Sequence, residues 1–176
     1  MKRPEMIKFI KSLSKDDSLK VMNTLIDEAP DVTRKMYDIA LAVVTGIDSD
    51  KIRDSVFCAL EDLSLDALNN RAGKTRYGYV EPAEEAWVMF EEALDPFIKE
   101  MKKNQQRALP IVAKTYCIGI IKGLRRYEKE SYSDFSEWVD EAPGEYIETA
   151  VDQWKEGNPS KEDISEVMSF IKGDQS

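Results

Sequence analysis

Residues 69–82 read NNRAGKTRYGYVEP, and within them Arg71, Lys74 and Arg76 stand beside Tyr77 and Tyr79 with no acid before Glu81. Arginine and tyrosine are enriched at binding hot spots. Mixed basic and aromatic segments also suit nucleic-acid backbones and bases. A second cluster, Lys122, Arg125, Arg126 and Lys129, has the spacing i, i+3, i+4, i+7, which aligns its charges along one helix face. It belongs to a segregated pattern: residues 99–129 hold nine Lys or Arg against two acids, and residues 130–176 hold three against thirteen. Two readings of the stripe stay open. Its cations either pair with the acidic helices that follow or meet an acidic partner or a phosphate backbone.

Other chemistries fit the residues less well. Histidine is absent, which removes the commonest metal ligand and the usual acid–base side chain near neutral pH. Two cysteines, Cys58 and Cys117, are too few for a four-thiolate zinc site, and both lie in apolar helical sequence that predicts buried free thiols. Gly73-Lys74-Thr75 invites comparison with a phosphate-binding loop, but that motif needs a glycine where Leu68 stands and a strand before it. Glu81, Glu84, Glu85, Glu91, Glu92 and Asp95 suggest a carboxylate-held Mg²⁺. All six fall on one predicted helix, opposite its apolar stripe of Ala83, Trp87, Phe90, Leu94 and Phe97, as a solvated face would. No catalytic residue, metal or cofactor is expected.

The elements that must position these groups are helices. Apolar residues recur at helical spacing almost everywhere, and no segment alternates as a half-buried strand does. Ser14–Asp17 supplies capping chemistry, and Pro30 and Pro143 suit first helical turns after two copies of the turn Asp-Glu-Ala-Pro. A helix opening at Asp48 is expected to run toward Leu68, and Pro96 is expected to kink or restart the long helix after Pro82. Residues 109–121 are apolar on nearly all sides, as a central helix would be. The prediction is eight or nine helices in a single all-helical domain over 1–176, with a long interhelical loop at 69–82.

Asp48-Ser49-Asp50-Lys51-Ile52-Arg53, followed by Val56, Ala59, Leu60 and Leu63, resembles the second helix of a HEAT repeat. Residues 30–34 and 110–114 look like weaker copies, and their spacing departs from the regular 40–47-residue period. The resemblance implies stacked antiparallel helical hairpins in an α-α superhelix; an irregular helical bundle is the alternative. It carries over no functional residue.

A net charge of −9 argues against nucleic acid as the main partner. The longest apolar run is far too short to span a membrane, and Lys8 and Lys11 interrupt the N-terminal segment where a secretory signal would need an apolar core. The expectation is a cytoplasmic, non-enzymatic adaptor or scaffold that binds an unknown protein through the 71–79 loop first and the 122–129 stripe second. A nucleic-acid-binding helical protein is the alternative. A carboxylate- and Mg²⁺-dependent hydrolase of phosphorylated small molecules comes third.

Overall fold

A computed structural model of the protein describes residues 2–76 and 78–173. Nine α-helices and one 3₁₀ turn carry most of these residues, so the fold is all-α. The chain divides into two compact units, Met1–Leu41 and Ala42–Ser176.

The first unit holds α1 (Arg3–Lys11), α2 (Lys15–Glu28) and most of α3 (Pro30–Thr45). Ser14 caps α2 as its spacing predicts, its hydroxyl accepting the Asp17 N–H at 3.1 Å. Only Ala29 separates α2 from α3, and the Thr33 hydroxyl fixes that turn by donating to the carbonyls of Ile26 (3.0 Å) and Ala29 (3.1 Å). Among the described residues of this unit no apolar side chain is buried, and contact among α1, α2 and α3 is sparse.

The second unit holds α4 (Ser49–Glu61), α5 (Leu65–Arg71), strands β1 (Gly73–Thr75) and β2 (Gly78–Val80), and α6 (Pro82–Gln106). After these come α7 (Pro110–Glu130), the 3₁₀ turn Asp134–Trp138, α8 (Ala142–Lys155) and α9 (Lys161–Gly173). Asp48 caps α4, accepting the Asp50 N–H at 3.1 Å. That helix does not reach Leu68. It stops at Glu61, and Ser64 caps a separate α5 by accepting the Ala67 N–H at 3.2 Å. Proline does not interrupt α6, which is helical on both sides of Pro96.

The centre of this unit is α7, which packs most extensively on α4 and also contacts α6, α8 and α9. Glycine makes the α4 contact possible. A Cβ at Gly119 would lie 2.5 Å from Ile52 Cβ, and one at Gly123 would lie 2.6 Å from Val56 Cβ. Phe90, Leu94, Val112 and Ile118 are buried as the helical spacing implies, whereas Trp87 is half-buried. Phe90 meets the Tyr127 ring edge-on at 5.7 Å, joining α6 to α7.

Candidate functional site

Residues 69–82 are not an irregular loop. The first three finish α5, and β1 and β2 then pair antiparallel in the register Gly73 with Val80, Lys74 with Tyr79 and Thr75 with Gly78. Strands of three residues are too short to show alternation, which is why period counting passes over them. Gly73 and Gly78 have φ of +82° and +137°, conformations that L side chains rarely adopt, and a Cβ at either would meet nothing within 4 Å. The hairpin therefore has open space around both glycines.

On this hairpin Lys74 and Tyr79 are cross-strand neighbours, and Arg76 follows β1 at the turn. All three are exposed, Tyr79 at 69%. Neither Lys74 nor Arg76 joins an ion pair with any described residue. Tyr77 lies outside the described residues.

Arg71 does different work. It ends α5, and its guanidinium reaches α6, with Nε 2.6 Å from Glu85 Oε1, Nη1 donating to Glu92 Oε2 at 2.7 Å and Nη2 to Glu92 Oε1 at 3.1 Å. The hydrogen bonds to Glu92 raise the Arg71 pKa further and hold the Glu92 carboxyl below its ordinary value. Bidentate geometry of this kind fixes orientation. Arg71 anchors the base of the hairpin, leaving Lys74, Arg76 and Tyr79 as the presented set.

The stripe on α7 is brought together as its spacing predicts, and it lines an open groove of about 700 Å³ with Asp50, Arg53, Glu130, Ser169 and Phe170. Its charges are already engaged. Lys122 Nζ donates to Asp50 Oδ1 (2.9 Å) and Ser49 Oγ (3.1 Å), and Arg125 pairs with Glu128 (3.0 Å). Arg126 donates to Asp54 (2.9 Å) and Glu130 (2.7 Å) and stacks 4.2 Å from the Phe57 ring. Lys129 lines the same groove and is also partnered. For Lys122, Arg125 and Arg126 these partners are carboxylates of α4 and of α7 itself, not of the acidic helices that follow. Lys114, in the same basic segment, does reach carboxylates of α9, donating to Asp163 (2.7 Å) and Glu166 (2.8 Å).

The six acids of the α6 region do not form a metal centre. Glu85 and Glu92 hold Arg71, Asp95 pairs with Lys99 at 2.5 Å, and among the described residues no three carboxylate or thiol groups converge as a metal ion requires. The thiols differ from expectation. Cys117 is buried, and that burial pushes its pKa up to about 12, but Cys58 is exposed on α4. Apolar neighbours in sequence mislead there, because the buried positions of α4 are Ile52, Val56 and Leu60, and Cys58 falls off that stripe. Among the described residues no helix is long and apolar enough to cross a membrane. Compared with protein-family models, curated proteins and solved structures, the chain matches none of them.

Proposed function

We propose that the protein is a non-enzymatic interaction module that binds an acidic protein partner through the 73–80 hairpin. One observation carries this reading: Lys74, Arg76 and Tyr79 are presented together and exposed, and neither cation pairs with a carboxylate among the described residues. Long flexible cations lose rotamer entropy when fixed, whereas tyrosine gives a large contact area through two torsions. Tyr79 is therefore the anchor, and Lys74 and Arg76 select a negatively charged surface. The α7 groove is the weaker candidate, because an incoming carboxylate or phosphate must displace Asp50, Asp54, Glu128 or Glu130.

Support for a HEAT-like fold comes from α4, whose acidic cap at Asp48 and buried Ile52, Val56 and Leu60 follow the pattern that the resemblance rests on. A cytoplasmic location suits two cysteines that remain free thiols.

The test is the variant Lys74→Ser/Arg76→Ser/Tyr79→Ser, compared with the parent in thermal melting and in recovery of bound proteins from native extract. Exposed charges contribute less than about 1 kcal/mol each to stability, so the melt should change little. A partner recovered by the parent should be lost. Undiminished recovery with the variant refutes the proposal.

A further inference from the structure

Residues 2–41 have the composition of packed helices, yet among them only Asp38 is buried. Twelve large apolar side chains in this stretch, among them Phe9, Ile10, Met22, Ile26 and Ile39, are 37–61% exposed. They follow helical spacing: Met6, Phe9 and Ile10 on α1, and Leu19, Met22, Leu25 and Ile26 on α2. Isolated helices shorter than about 12–15 residues are marginal in water, and α1 has nine residues and α2 fourteen. A unit of this length seldom folds without a disulfide, a metal or a second chain. Its sequence contains neither cysteine nor histidine.

From this we infer that the first unit is a self-association element whose apolar faces are covered by those of a second copy of the same chain. Charge favours that occupant. The first unit carries eight basic and seven acidic side chains, so two copies approach without net repulsion, unlike the strongly acidic remainder. Its charges are also polarised. Lys2, Arg3, Lys8 and Lys11 against Glu5 leave residues 2–11 at +3, while Asp27, Glu28 and Asp31 make the α2–α3 turn −3. Lys8, Lys11, Asp27 and Glu28 have no ion-pair partner among the described residues. A two-fold pairing that sets α1 of each copy against the acidic turn of the other satisfies both patches twice. Area agrees as well: twelve half-exposed apolar side chains present on the order of 1,000 Å², against roughly 800 Å² per partner in a standard interface.

Sedimentation equilibrium of the full chain over a range of concentrations tests this. The wild type should be a dimer, and Phe9→Ser/Ile10→Ser should weaken association by at least about tenfold. Two charge variants make the test specific to a second copy. Lys8→Glu/Lys11→Glu and Asp27→Lys/Glu28→Lys should each be monomeric alone, and mixing them should restore a one-to-one dimer because each then meets an opposite charge. Retained far-UV circular dichroism separates lost association from unfolding. A wild type that is monomeric throughout overturns the inference, whether or not it binds anionic phospholipid vesicles through basic α1. So does a dimer indifferent to both the apolar and the charge changes.

Discussion

Adding one methyl group at Gly123 should destabilise the protein even though alanine is the better helix former. A Cβ there would lie 2.6 Å from both Cβ and Cγ1 of Val56 and 3.1 Å from the Arg53 carbonyl oxygen. Carbon atoms in good contact sit about 3.5–4.0 Å apart, so roughly 1 Å of clearance must be found. Val56 is fully buried and β-branched, so it cannot swing its methyl aside, and α4 itself must retreat from α7. Overpacking of this kind costs about 1–3 kcal/mol, and the helix preference of alanine over glycine returns about 0.8–1.0 kcal/mol. Because the obstruction is backbone and Cβ, the upper part of the range applies, and the net loss is about 1–2 kcal/mol. Gly144 in α8 is the control, since a Cβ there meets nothing within 4 Å and only the helix preference remains. Urea unfolding followed by tryptophan fluorescence should show a lower midpoint for Gly123→Ala, a midpoint for Gly144→Ala equal to or above the parent's, and unchanged slopes. If Gly123→Ala unfolds no earlier than Gly144→Ala, the close α4–α7 approach is wrong, and with it the placement of the α7 groove.

Replacing Phe90 with alanine should cost about 3–5 kcal/mol, since its ring is fully enclosed; a loss under about 1 kcal/mol would put that face of α6 at the surface. An aromatic disulfide reagent at pH 8 should modify one thiol per native chain, the exposed Cys58, and a second only in denaturant, because burial raises the Cys117 pKa to about 12. Two fast thiols would contradict that packing. Burial pushes the Asp163 pKa up, but hydrogen bonds from Lys114 and Ser160 outweigh it and hold it below the ordinary carboxylate value. A lowered folded pKa stabilises above the unfolded pKa of about 4 and loses that contribution as pH falls further. Lys114→Met should therefore flatten part of the acid loss of stability as pH falls below about 4, and an unaltered acid profile would rule out the pairing.

Helical period and caps made most of the architecture legible in the amino-acid sequence. Ser14, Pro30, Asp48, Pro82, Pro110 and Ser160 each open or cap a helix where their chemistry says they should. The break at residues 62–64 was not legible, because Leu63 and Leu65 continue an apolar pattern while Ser64 ends it by capping α5. The hairpin was hidden for a different reason. Its evidence is two glycines and three-residue strands, and glycine signals a turn without saying which strands flank it. Of the candidate site, the residue types were visible but not their engagements. Arg71 and Arg76 are five positions apart and look equivalent in sequence, yet one is clamped by Glu85 and Glu92, fourteen and twenty-one positions away, and the other is exposed at the turn. Likewise the i, i+3, i+4, i+7 stripe announces a charged face. Its neutralisation by Asp50 and Asp54 depends on the packing of α4 against α7, which local spacing does not encode.

The most direct test of the hairpin as the binding element is site-specific photocrosslinking in cells. A photoreactive phenylalanine analogue replaces Tyr79 in one variant and Tyr132 in another; Tyr132 is 93% exposed and lies outside the hairpin. Position 79 should give a discrete crosslinked protein that position 132 does not, and the product should vanish when Lys74 and Arg76 are changed to serine in the same chain. Equal products from both positions, or a product at 79 that survives the loss of both cations, would contradict recognition of an acidic partner by this hairpin.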